Sequence, residues 1–107
     1  MSQPGEIWLA EIPFTGGAAS KIRPMPILWL DARDAVAAAV TSAAPRSPQD
    51  VAPADWTSAG LRVPSTVRLS RLDCLEQILL RRKLGAPTLK DANQVKQVWT
   101  NQIRLQF

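Results

Sequence analysis

The sequence predicts a mainly β domain that ends in a single helix. Three observations point there. Apolar segments recur at roughly ten-residue spacing up to Thr41, the rhythm of short strands joined by turns. Nine prolines in 107 residues favour short elements over a helix bundle. Only near the end, from Leu89 to Ile103, do apolar residues recur at helical spacing. With 46% hydrophobic residues, the chain can bury one modest core, and residues 1–107 are expected to form a single domain.

The elements follow in order. From Glu6 to Ile12, Trp8, Ala10 and Ile12 alternate with Ile7, Leu9 and Glu11, which describes a buried strand ended by Pro13. Thr15-Gly16-Gly17 opens a loop that reaches Lys21. Met25 to Leu30 is a second strand, and Pro26, lacking an N–H, calls for an edge or a bulge there. Asp31 to Asp34 is a polar turn, and Ala35 to Thr41 is a third strand built from small residues. Ala43 to Ala59 is a long surface loop with room for a helical turn around Ala54 and Trp56. Thr66 to Leu69 is strand-like, Leu72 to Leu80 suits a strand or a short helix, and Arg81 to Leu84 suits a last strand. Thr88-Leu-Lys-Asp91 has the spacing of a capping box, with Asp91 in place of the usual Glu. Leu89, Ala92, Val95, Trp99 and Ile103 then form one apolar stripe. Trp8, Trp29 and Trp99 are expected in the core.

Thirteen basic against nine acidic residues give a net charge of +4, and nine of the thirteen are arginine. Arginine's planar fork suits phosphates, so a polyanion or an acidic protein segment fits this charge, as does a plain basic surface. The chain has no histidine. This removes serine–histidine triads, paired-histidine ribonuclease chemistry and histidine metal sites. One cysteine, Cys74, cannot make an internal disulfide or a thiolate metal site, so neither a metal nor a cofactor is expected. Apolar runs fall well short of the roughly 18–20 residues of a membrane span, and no leader precedes Gly5. A soluble cytoplasmic protein without membrane partners is expected.

Five segments carry a family resemblance when taken in order. They are G-E-I-W-L-A at Gly5 to Ala10, I-R-P-M-P-I-L at Ile22 to Leu28, A-A-V-T-S at Ala38 to Ser42, P-S-T-V-R-L at Pro64 to Leu69, and R-K-L-G at Arg82 to Gly85. Together they resemble the MazF/PemK family, the ribosome-independent endoribonuclease toxins of type II toxin–antitoxin systems. The resemblance implies an SH3-like small β-barrel with a C-terminal helix, acting as a homodimer. It also implies cleavage of single-stranded RNA without metal, through attack by the neighbouring 2′-hydroxyl to leave a cyclic phosphate. The catalytic pair maps to Arg23 and Thr41, and RNA contacts to Ser42, Arg68, Lys21 and Gly16. The expected protein partner is an antitoxin whose acidic C-terminal segment covers the basic groove.

Such a site has a plain chemical basis. Cleavage needs a base for the 2′-hydroxyl, stabilisation of a dianionic phosphorane, and an acid for the leaving oxygen. Arginine supplies the second through two parallel N–H bonds, and a threonine hydroxyl can donate to a phosphate oxygen. Taken without the resemblance, Arg23 is a charge at a strand mouth, Thr41 a turn former and Arg68 part of an exposed strand face. The chain also departs from the family. No carboxylate or histidine lies between Thr15 and Ser20, Ser70 stands where an acid is frequent, and Asp73-Cys74 replaces an Arg-Thr pair. The base is therefore open among Glu11, Asp31 and Asp73. The alternative is a non-catalytic RNA- or acidic-peptide-binding module on the same barrel. Gyrase poisoning, known for a family sharing that fold, ranks below both.

Overall fold

A computed structural model describes residues 2–13, 16 and 19–107. Six strands and one helix account for its regular structure: β1 (Ile7–Pro13), β2 (Ser20–Asp31), β3 (Asp34–Thr41), β4 (Asp50–Val51), β5 (Thr66–Glu76), β6 (Leu80–Gly85) and α1 (Leu89–Gln102). They form one antiparallel sheet in the order β4-β5-β3-β2-β1-β6. The expected mainly β fold with a C-terminal helix is therefore present. The sheet is not closed into a barrel, because β4 and β6 remain its two edges. No helix among the described residues is long and apolar enough to cross a membrane.

Three apolar clusters hold the sheet. Ala10, Met25, Ala37 and Leu75 pack inside its coil. Ala38, Val51, Val67 and Leu69 lie on the other face under Val95, Val98, Trp99 and Ile103 from α1 and its end. Ile7, Ala59 and Leu61 join the start of β1 to the segment before β5, with Trp56 and Leu84 against them. The helix stripe is as expected except at Leu89, which is 76% exposed; Val98 packs on the sheet instead.

β2 is longer than its apolar run implied. Its pairing with β1 continues from Ile7↔Pro26 to Pro13↔Ser20, so Arg23 lies within the strand opposite Ala10 and not at its mouth. A bulge between Ile27 and Trp29 turns both Leu28 and Trp29 toward α1. Trp29 meets Trp99 edge to face at 5.6 Å, yet stays 42% exposed, so it is not the core residue expected. β5 runs through the stretch that suited either strand or helix, absorbing Leu69 to Arg71 in a second bulge before a 3-10 turn at Gln77–Leu79.

The segment between β4 and β5 contains turns and no helix, and it is fixed by a buried carboxylate. Thr88 caps α1 by accepting from Asp91 N, as the capping spacing predicts. Asp91, however, reaches beyond the cap residue. It accepts from the backbone N–H groups of Ala54 at 3.0 Å and Asp55 at 2.9 Å. Leu84 then packs so close to Gly60 (φ +87°) that an added Cβ would lie 2.3 Å from a carbonyl oxygen, a position open only to glycine.

Burial pushes the Asp91 carboxyl pKa up, but the donors from Asp55, Ala54 and Thr88, with nearby Lys90, outweigh it and hold the pKa below 3.8. At the sheet edge, the Lys83 ammonium at 2.9 Å and the Trp8 indole at 3.0 Å pull Glu6 from 4.5 down to about 2. Depressed carboxyl pKa values stabilise the fold above the unfolded-state pKa, and that contribution disappears as pH falls through the folded-state value. Thermal melts should thus be flat above about pH 5 and fall steadily between about pH 4.5 and 2. Replacing Lys83 with Ala should remove part of that slope. Replacing Asp91 with Ala removes the buried acceptor of two part-buried N–H groups and should cost about 2 kcal/mol in urea denaturation at neutral pH.

Candidate active site

Two prolines shape the region around Arg23. Ile27 donates to Glu6 O at 2.9 Å and accepts from Gly5 N at 2.8 Å, so its polar groups point toward β1. Backbone polar groups alternate along a strand, so Pro24 and Pro26 point theirs toward β3. Neither proline has an N–H, and β2 therefore offers β3 no donors along that stretch. The β2–β3 ladder accordingly extends no farther than Ile27↔Ala37, and beyond it the hydrogen bonding between the two strands is open. Pro26 was expected at an edge or bulge; it is buried in an interior strand, just where one of the two ladders ends.

Arg23 and Thr41 occupy the two lips of this opening. Arg23 lies four residues before Ile27 on β2, and Thr41 four residues beyond Ala37 on β3, at one end of adjacent strands. Alternation places Arg23 on the face of Met25, and Thr41 on the face of Ala37, both buried in the same cluster. Exposure rises along each strand toward this end, from buried Met25 to exposed Arg23 and from buried Ala37 to half-buried Thr41. The Arg23 guanidinium has no hydrogen bond or ion pair with another described residue. The Thr41 hydroxyl accepts from Ala43 N at 3.2 Å, a turn-forming contact that leaves its proton free to be donated.

The remaining residues divide. Ser42 is exposed directly after β3, and Lys21 is exposed on β2 opposite Ile12, two residues from Arg23. Gly16 is exposed with φ +71° and open space around it; its neighbours Thr15 and Gly17 lie outside the described residues. Arg68 differs from the exposed strand residue its alternation suggested. It stands opposite Ala39 and Asp50, its side chain is 16% exposed, and its Nε lies 3.5 Å from Asp50 Oδ1. Sequence reasoning missed Asp50, since nothing local marks a two-residue strand whose carboxylate is buried.

The candidate bases also separate. Arg81, with Ser20, holds Glu11 below its ordinary pKa, which makes it a weaker base. Asp31 lies at the far end of β2, beside the hairpin turn. Asp73 is exposed on β5 opposite Ala37, on the face that carries Thr41. Among the described residues, no three His, Cys, Asp or Glu side chains are grouped to hold a metal ion. A mainly apolar cleft of about 860 Å³ between β2 and α1, bordered by Pro26, Trp29, Val95 and Trp99, is lined by neither Arg23 nor Thr41.

No protein-family model matches the chain, and no curated protein matches it. Solved structures do. The chain superposes on the Mycobacterium tuberculosis toxin MazF-mt6 with a TM-score of 0.71 at 21% identity, covering 90% of this chain and 93% of that one. The fold is that of the MazF toxins. A mycobacterial endoribonuclease solved with its cognate antitoxin gives a TM-score of 0.68 at 22% identity, over 92% of this chain and 90% of that one. MazF from Deinococcus radiodurans gives 0.65 at 24% identity, over 91% of both chains. The MazF fold therefore accounts for nearly the whole chain.

Exposed and without a partner among the described residues, Arg23 should be dispensable for folding. Replacing it with Ala should move the unfolding free energy by less than about 0.5 kcal/mol. Arg68→Ala should cost about 2 kcal/mol or more, because it leaves the buried Asp50 carboxylate without its partner. Parallel urea titrations of the two variants check the contrast.

Proposed function

We propose that this chain is a MazF-type toxin of a type II toxin–antitoxin system, a metal-independent endoribonuclease acting on single-stranded RNA. The observation that carries this reading is the pair of lips at the β2–β3 opening, Arg23 on one and Thr41 on the other, within a MazF fold. A phosphodiester seated there receives two parallel N–H bonds from Arg23 and one hydroxyl bond from Thr41. Both bonds strengthen as the 2′-oxygen attacks and charge builds on the phosphorane. The product is a cyclic phosphate. Lys21, beside Arg23 on the same strand, and Ser42, beside Thr41, extend the contact along the RNA backbone, and Gly16 borders it. A homodimer and a cytoplasmic location belong to the same reading, as does an acidic antitoxin segment, which the antitoxin complex of a structural neighbour and the chain's net positive charge support.

One observation favours a second reading, a binding module without catalysis. The chain has no histidine, and Glu11, the β1 carboxylate paired opposite Ile22 next to Arg23, is committed to Arg81 and Ser20. The two readings part in one experiment. Single-stranded RNA incubated with micromolar protein in EDTA should be cut to fragments ending in cyclic phosphate. Arg23→Ala should lower the rate by about 100-fold or more, as loss of a principal charge-stabilising donor does, and Thr41→Ala should also lower it. Bound but intact RNA selects the second reading, and cutting by Arg23→Ala at the wild-type rate removes Arg23 from the site.

A further inference from the structure

Beneath the turn that follows Thr41 lies a buried polar cluster. Arg68 on β5 and Asp50 on β4 face each other directly, with the Asp50 side chain 1% exposed and that of Arg68 16% exposed. Asp50 reaches in two directions. Its Oδ1 lies 3.5 Å from Arg68 Nε, and its Oδ2 accepts from the backbone N–H of Arg46 at 3.0 Å. The same turn is closed by Asp50 N donating to Ser47 O and by Leu69 N donating to Gln49 O. At its start, buried Thr66 donates to Ala43 O at 2.7 Å, and Ala43 N donates to the Thr41 hydroxyl. Contacts thus run from Arg68 through Asp50 to the Arg46 amide, and from there a short backbone path leads to Thr41.

As a source of stability the pair is poor. Arg68 Nε, Asp50 Oδ1 and Ser47 Oγ are all buried without a hydrogen-bond partner among the described residues. An ion pair at 3.5 Å with unsatisfied atoms repays little of its desolvation. What the arrangement does supply is orientation, because a guanidinium on an interior strand holds a carboxylate that fixes a loop amide. Arg68 has also given its charge to Asp50, so it is badly placed to serve as a phosphate ligand.

We infer that Arg68 and Asp50 are positioning residues, which hold the turn from Ser42 to Asp50, and with it the hydroxyls of Thr41 and Ser42, in register with the opening where Arg23 sits. The inference rests on the endoribonuclease reading, and it reverses the direct RNA contact that the family resemblance implies for Arg68. The two roles give opposite signs for Asp50→Asn. If Arg68 contacts phosphate, the variant frees its guanidinium, and RNA binds more tightly. If the pair positions the turn, RNA affinity stays within about twofold while turnover falls about tenfold or more.

The test compares wild type, Asp50→Asn, Arg68→Gln and the double variant. It measures RNA cleavage rate, RNA affinity from 50 to 200 mM salt, and amide exchange at Ala43 and Arg46, each against a melting curve. The expected result is that both single variants lose turnover alike and that the double variant is no worse than the poorer single. The salt slope should be unchanged, and the Arg46 amide should exchange faster in all three. Tighter RNA binding by Asp50→Asn, or a salt slope lowered by about one in Arg68→Gln, would overturn the inference in favour of a phosphate contact. Should Arg68→Gln fail to fold, Asp50→Asn decides alone through its sign. Wild-type protein that leaves RNA intact defeats the enzyme reading, whereas unchanged Arg46 exchange defeats the positioning role whether or not RNA is cut.

Discussion

The missing donors of Pro24 and Pro26 are the constraint on which the candidate site depends. A sheet of this order would ordinarily zip β2 to β3 along their whole length, because unpaired backbone groups are costly. With both N–H groups absent from the β3-facing edge of β2, nothing rewards the last turns of that ladder. Pairing stops beyond Ile27 and Ala37, and the hydrogen bonding opens at that end while Met25 and Ala37 stay packed beneath it. The opening is set by covalent structure and lies over a core, and its two lips carry the guanidinium and the hydroxyl.

Charge is distributed to match. The carboxylates nearest the β1–β6 edge are neutralised there, Glu6 by Lys83 and Glu11 by Arg81, and Asp50 is neutralised by Arg68. Arg23 has no such acid beside it among the described residues. The net charge of +4 is thus expressed in part at the opening, where an anion meets a cation that owes nothing to a neighbour. For a chain without histidine, electrostatic stabilisation and orientation are the available means of accelerating a phosphoryl transfer. Both need groups held still.

Two buried carboxylates serve that stillness from different elements. Asp91, on the helix, fixes the turns at Ala54 and Asp55. Asp50, on the shortest strand, fixes the turn at Arg46. Most of the long connection between β3 and β5 is in this way tied to the sheet or the helix by side chains that accept backbone N–H bonds, which is how so short a chain keeps a long loop in place with only a two-residue strand inside it.

Alternation and spacing, read from the sequence alone, were enough for β1, β3, β6 and the capped helix, because each of these signals is local. The ordered motifs also singled out Arg23 and Thr41. Their placement at the same end of adjacent strands required the pairing of β2 with two different neighbours, and that pairing alone showed Arg23 within its strand and not at the mouth. The bulge that turns Trp29 outward, the open sheet and the burial of Arg68 against Asp50 were likewise settled by tertiary structure. The reason is physical: periodicity reports which way a side chain leaves its own backbone, whereas the partner it meets there depends on residues far away in the chain.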